Sequence, residues 1–342
     1  MGRPTITDLA RAAGVSVATV DRVLNGRSPV REETAKKVHQ AAVTIGYHGS
    51  NMIRQRILAD RPTLRLGVVL QKPRHSFYLE FISAFERQVQ AILTRRIQLV
   101  FHHPQSTDPA ELADILEGLT GRVDAVAATG VDHHRITAAV GVLKAAGIPV
   151  FSLLSDFAQG VRESYFGMNN LKIGRQAGWC ISKISKRPGK VALFIGSSRY
   201  HGHVMRETGF RSYLRDVAPE FEMIDTQINL ETRALTHEAT LELLDRHPDL
   251  CGLYVAGGGM EGAISALRET RGPEEVLLIV NELTPESRLA LQDGYAAMVF
   301  GTPIEDLVRE LLDVIVSTHE NGTAAVPGQR FFPPQLWTSE IV

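Results

Sequence analysis

Cysteine is nearly absent: the 342 residues contain only Cys180 and Cys251. They form no CxxC or zinc spacing, which excludes a disulfide framework and predicts two reduced core thiols. No apolar run approaches the roughly 18 residues a membrane helix needs, and the N-terminal MGRPTITDLA has no hydrophobic core for a secretory signal. The expectation is a cytoplasmic chain with no membrane contact. Low-complexity segments are missing, as are a P-loop, HExxH and a G-x-S-x-G elbow. No metal site, no cofactor and no catalytic residue is assigned, so nothing compels an enzyme.

Charge of one sign is lacking only on average. Lys and Arg total 37 against 38 Asp and Glu, but residues 1–60 carry nine basic residues against five acidic ones. A small basic head on a mildly acidic body suggests a polyanionic partner for the head.

The head reads as three short helices. Thr5 and Asp8 have capping-box spacing, and Gly14 stops the first helix. Ser16 caps the second, which ends near Asn25-Gly26. The third runs from about Glu32 to Ile45, with Val38, Ala41, Ala42 and Ile45 inward. A Gly-containing turn between two helices has helix-turn-helix geometry. In SVATVDRVLNGR (16–27), Val20, Val23 and Leu24 form an apolar stripe at helical spacing. The opposite face carries Val17, Ala18, Asp21 and Arg22. Short apolar side chains can pack on thymine methyls, and Arg22 can bond guanine O6 and N7, so this face suits a DNA major groove. Ser16, Thr19 and Asn25 flank it within reach of phosphates. Asp21 is anomalous on such a surface, and orienting Arg22 is its expected role.

Residues 47–63 are polar, with Gly49, Ser50, Pro62 and the pair Arg54/Arg56, and read as a linker. Beyond it, strand-length apolar runs alternate with amphipathic stretches: LRLGVVL (64–70), IQLVF (97–101), DAVAATG (124–130), IPVFSLL (148–154), KVALFIG (190–196), CGLYVAG (251–257), VLLIVNE (276–282) and AAMVFG (296–301). This pattern predicts parallel sheets covered on both faces. The fold class is a small all-α head followed by an α/β body of two doubly wound lobes. The expected boundaries are a head at 1–48, a linker at 49–63 and a body at 64–342. The N-lobe takes about 64–163 plus 296–325, and the C-lobe about 164–295 plus 326–342.

GGGMEG (257–262) matches a dinucleotide fingerprint, with Glu282 ending the next strand. It lies far from the first strand–helix turn of its sheet and leaves the head unexplained. Glycines at a strand's carboxyl end also make room for any small ligand in a crevice, and that reading is preferred. The pairs His102-His103 and His133-His134 read as exposed loop residues. His201 and His203 have no acidic or Cys partner nearby in sequence.

TITDLARAAGVSVATVDRVLNG (5–26) resembles the head of the LacI/GalR family of bacterial transcription regulators, and the similarity extends along the whole chain. The body resembles the sugar-binding domain shared with type I periplasmic binding proteins. The resemblance implies a repressor that binds operator DNA as a homodimer and is controlled by a small sugar or polyol between the lobes. It implies base reading by Val17, Ala18 and Arg22, and phosphate contacts from Thr5, Ser16, Thr19, Asn25 and Thr34. Asn51 and Ile57 fall on a hinge helix, unordered until DNA is bound, that inserts into the minor groove. Effector contacts fall on Phe77, Asp156, Asn169, Arg206 and Glu282. This chain departs from the family pattern at four places. A proline is missing after Tyr47, and Arg56 stands where a leucine wedge would be. Arg31 replaces the cap of the third helix, and Gly301-Thr302 replaces a Gln or Asp. A free sugar receptor and a nucleotide-dependent enzyme are the competing readings; the head fits neither.

Overall fold

Thr5 starts the first helix as its spacing predicts. In the computed structural model, which describes residues 3–25, 30–323, 326 and 328–342, α1 spans Ile6–Ala13. Thr5 and Asp8 form the full capping box, and Gly14 ends the helix at φ +64°, a left-handed conformation that glycine adopts without strain. Ser16 Oγ accepts from the Thr19 amide at the start of α2 (Val17–Asn25). The expected stop at Gly26 lies outside the described residues. α3 (Glu32–Thr44) begins at Arg31, which gives no side-chain cap. Val20, Val23 and Leu24 pack with Leu9, Val38 and Ala42 in one core.

The expected linker is part of that core. Residues Ser50–Ile57 form α4. Its Ile53 is fully buried, and Ile57, one turn later on the same face, packs against the same cluster. Arg54 fastens the helix, donating from Nη2 to the Val89 carbonyl at 2.8 Å and from Nε to the Gln90 carbonyl at 3.2 Å. The head's apolar core thus extends past the boundary expected at 48. The chain divides into residues 1–65 with 86–99, and residues 66–85 with 100–342. The expected hinge is helical here, with Ile53 buried against the head.

The body begins with β1 (Thr63–Val69), α5 (Ser76–Ala91), β2 (Arg96–His102), α6 (Pro109–Gly118), β3 (Ala125–Ala128), α7 (His134–Ala145), β4 (Val150–Leu153) and β5 (Ser164–Met168). It continues through α8 (Asn170–Ile184), β6 (Lys190–Ile195), α9 (His201–Val217), β7 (Glu222–Met223), β8 (Gln227–Ile228), α10 (Arg233–Arg246), β9 (Leu250–Val255) and α11 (Met260–Thr270). The last elements are β10 (Leu277–Asn281), α12 (Pro285–Gln292), β11 (Met298–Gly301), α13 (Ile304–Asn321), β12 (Gly328–Phe332) and β13 (Gln335–Trp337).

Two sheets result, ordered β12-β5-β4-β3-β1-β2 and β13-β11-β10-β9-β6-β7, with β8 also beside β6. The central pairs are parallel, and β13 alone among the registered pairs runs antiparallel to its neighbour. Strand β6 shows why its run is continuously apolar. Ala192 and Phe194 face a cluster with α10 and α11, while Val191, Leu193 and Ile195 face one with α8 and α9.

The pairing corrects the expected lobe boundaries. β5 joins the first sheet and β11 the second, the reverse of the assignments at 164–295 and 296–325. Of the two closing strands, β12 returns to the first sheet and β13 to the second. The chain thus crosses between lobes after β5, β11 and β12. Apolar pattern marks a strand but carries no information about which sheet edge it joins, and these crossings were invisible for that reason.

Candidate functional site

On the head, Val17 is 41% exposed, and Ala18 and Arg22 are exposed beside it, opposite the buried stripe. Thr5, Ser16 and Asn25 are exposed as well, and Thr19 and Thr34 are half-buried. Asn51 lies exposed on α4. Asp21 takes a partner that was not expected: the Asn25 side-chain amide donates to its Oδ1 at 2.5 Å. This i, i+4 contact holds Asn25 as well as Asp21.

The body has a cleft with a cavity of about 100 Å³, lined from both lobes. Phe77 at the start of α5, Arg206 on α9 and Glu282 after β10 all line it, as expected. Phe77 is held edge-on by Tyr78 and Phe81, with centroids 5.2 and 5.5 Å away. Arg206 is 8% exposed, and its Nε donates to Asn170 Oδ1 at 2.7 Å and its Nη1 to the Ala256 carbonyl at 2.6 Å. A close helix contact sets its position. A Cβ on Gly174 of α8 would come within 1.9 Å of the Arg206 carbonyl oxygen, so α9 approaches only because glycine is there. Glu282 accepts from both the amide and the hydroxyl of Thr302, at 2.9 and 2.7 Å. The departure at Gly301-Thr302 thus supplies the group that fixes the acid, and burial raises the Glu282 pKa.

Asp156 and Asn169 do not line the cleft. Asp156 is 2% exposed and held in a fork by Arg162, itself 3% exposed, with Nε–Oδ1 2.6 Å and Nη2–Oδ2 2.7 Å. Ser152 on β4 adds a bond at 2.7 Å, while Arg162 Nη1 reaches the Gly328 carbonyl at 2.7 Å and so anchors β12. Burial alone would raise the Asp156 pKa, but the Arg162 and Ser152 bonds outweigh it and hold the carboxyl below its usual range. Its acceptor capacity is used within the fold. Asn169 caps α8 by accepting from the Lys172 amide at 3.1 Å. The neighbouring Asn170 makes the contact to Arg206.

Sequence reasoning missed the cleft's central cluster. Lys72 follows β1 in the first lobe and donates to Glu231 Oε2 at 2.9 Å; Glu231 follows β8 in the second. The Gly258 amide donates to Glu231 Oε1 at 3.1 Å, and His203 Nε2 lies 3.6 Å from the same oxygen. Burial would raise the Glu231 pKa, but Lys72 and His203 lower it to about 2. Burial lowers that of His203 to about 4. His203 and Glu231 lie too far apart in sequence for spacing to reveal them. Backbone strain marks the site too: Lys72, Leu154, Glu231 and Glu282 all adopt positive φ, between 46° and 69°.

The glycines of 257–262 serve packing and space. Side chains at Gly257 and Gly258 would meet His203 and Glu231, and one at Gly262 would strike the Arg233 carbonyl oxygen of α10 at 2.2 Å. Of the loop histidines, His133 caps α7 by accepting from the Arg135 amide, and His103 Nδ1 pairs with the Leu70 carbonyl.

Residues 66–320 match the periplasmic binding protein domain, and residues 5–50 match the bacterial regulatory proteins of the lacI family. The chain belongs to the LacI family of transcription regulators. This regulator is 27% identical over 353 residues to the sucrose operon repressor of Pediococcus pentosaceus, covering 98% of each chain. It is 26% identical to the transcriptional regulator GntR of Pseudomonas aeruginosa over 285 residues, 81% of this chain and 79% of that one. It is 28% identical to the transcriptional regulator CelR of Thermobifida fusca over 288 residues, 81% of each. The fold resembles that of GanP, a glucose-galactose binding protein from Geobacillus stearothermophilus, with TM-score 0.73 and 16% identity over 81% of this chain and 98% of GanP. The regulator is a DNA-binding protein and not an enzyme. Among the described residues, no helix is long and apolar enough to cross a membrane.

Proposed function

We propose that the regulator is a cytoplasmic homodimeric repressor whose two heads read a pseudo-palindromic operator, and whose operator affinity is set by a small carbohydrate or polyol in the body's cleft. The observation that carries this reading is the exposed Val17–Ala18–Arg22 face of α2, set directly against the buried Val20–Val23–Leu24 stripe. Arg22 reads guanine in each half-site, with Val17 and Ala18 against thymine methyls. Thr5, Ser16, Thr19, Asn25 and Thr34 surround this face as phosphate contacts. In the cleft, Phe77 packs on a sugar ring, while Arg206 and Glu282 bond hydroxyls. The sugar-related names of relatives such as the sucrose operon repressor support this ligand class.

The test is a gel shift with operator fragments selected from random DNA. Arg22→Ala should cost about 1–3 kcal/mol per half-site and relax specificity at one symmetric base pair. Equal weakening on every sequence would make Arg22 a phosphate contact and overturn the assignment. The effector arm is a thermal-shift screen of sugars and polyols, where a ligand at about 100 times Kd should add about 2.7 kcal/mol of stability.

A further inference from the structure

One short loop of the first lobe grips the second lobe at three places. Between β1 and α5, Gln71 Oε1 accepts from the Tyr200 hydroxyl at 2.6 Å. Lys72 Nζ donates to Glu231 Oε2 at 2.9 Å and to the Glu231 carbonyl at 3.2 Å. His75 Nε2 lies 3.4 Å from Glu261 Oε1. The partners belong to separate segments of the second lobe. Tyr200 precedes α9, Glu231 follows β8, and Glu261 sits in the first turn of α11.

The loop is shaped for this grip. The His75 amide donates to the Lys72 carbonyl at 2.9 Å, closing a turn around Pro73 and Arg74 that carries Lys72 and His75 at its two ends. Lys72 and Glu231 both adopt positive φ, 46° and 54°. Such a conformation is costly for a residue with a Cβ and persists where surrounding contacts enforce it. The Glu231 side chain is 15% exposed and that of Lys72 33%. The pair is thus partly shielded from water but still within reach of salt.

The chain itself crosses between the lobes after β5, β11 and β12. Crossings of this kind act as hinges, since a few backbone torsions can absorb a rotation. Non-covalent bonds across the seam must break before the lobes part. Two backbone amides make such bonds away from the loop. Asp132, between β3 and α7, donates to the Arg199 carbonyl at 2.9 Å, and Gly202 donates to Ser155 Oγ at 3.1 Å.

We propose that Gln71, Lys72 and His75 form a strap that fastens the two lobes to each other, and that release of Lys72 from Glu231 is the step that opens the cleft. Gln71, Lys72 and His75 line the cavity together with Tyr200 and Glu231, so a molecule entering from solvent passes a strap that has let go. The inference concerns the motion of the body and is independent of the ligand's identity.

The experiment is mass-spectrometric hydrogen exchange on the full-length regulator without added ligand, comparing wild type, Lys72→Met and Lys72→Arg. The reporters are the Asp132 and Gly202 amides, which cross the seam but do not touch Lys72. An amide closed by the seam exchanges in proportion to the open population. A hydrogen bond to a charged group is worth about tenfold in such an equilibrium. Lys72→Met should therefore speed exchange at both reporters about tenfold, leaving amides inside β3 and β9 unchanged. Lys72→Arg, which keeps the charge and a donor, should stay near wild type. Molar salt should speed the same two amides in wild type and do little in Lys72→Met, because the pair it screens is already gone. Faster exchange confined to residues 72–76 would mean that Lys72 only orders its own loop, and would overturn the proposal. Reporters that respond neither to Lys72→Met nor to salt would overturn it as well. No sugar takes part, so either failure leaves the effector reading of the cleft to its own screen.

Discussion

Replacing Asp156 separates two roles for one carboxylate. Family resemblance puts it on the effector, whereas the structure buries it against Arg162 and uses the pair to tie β12 to the first sheet. Asp156→Ala would leave the Arg162 guanidinium buried, with its counter-charge gone and only the Gly328 carbonyl to hold it. Removing one partner of a buried pair typically costs about 3–5 kcal/mol. For a body of this size that corresponds to a fall in Tm of roughly 10 °C. Calorimetric unfolding would read the fall, and ligand titration well below the new transition would read the site. The expected outcome is a large loss of stability with effector affinity within about twofold of wild type. The double variant Asp156→Leu/Arg162→Leu should recover part of the loss, since an apolar pair of similar volume avoids the stranded charge. A protein with unchanged Tm that no longer binds effector would refute the structural assignment and return Asp156 to the ligand.

Three further outcomes are expected. Ile53→Ala should destabilise the head by about 2–5 kcal/mol, and amides 50–57 should already be protected from hydrogen exchange without DNA; random-coil exchange there would restore the unordered hinge. Gly174→Ala forces a methyl into the Arg206 backbone and should cost about 1–3 kcal/mol, weakening effector binding although every cleft side chain is intact. His203 has its pKa lowered from 6.5 to about 4, so the unfolded chain binds its proton first: the stability is fully present above pH 6.5 and falls by about 1.4 kcal/mol per unit as pH drops toward 4. The low pKa of Glu231 adds a further loss from 4.5 down to about 2; His203→Phe should flatten the upper window in pH-dependent melting, and an unchanged slope there would count against a buried neutral imidazole.

The head and the strand positions were legible because their determinants are local. A capping box needs Thr5 and Asp8 three residues apart, a left-handed stop needs Gly14, and an amphipathic α2 needs Val20, Val23 and Leu24 on one side. Each is a relation within one or two turns of chain, and so it survives without knowledge of the fold. All eight apolar runs became strands for the same reason. The edge strands β7, β8, β12 and β13 escaped because they are short or lack a continuous apolar run. Tertiary structure decided what the polar residues do. Arg162, paired with Asp156 six residues before it, gained the Gly328 carbonyl only because β12 returned to the first sheet, and Ile53 turned a polar linker into a packed helix because an apolar head surface was there to receive it. Lys72 and Glu231, 159 residues apart, became partners through the apposition of two lobes. The sequence determined where the capped head helices and the long apolar strands lie, since that preference resides in neighbours along the chain. The partner of the Glu231 carboxylate depended on which distant segments the sheets brought together.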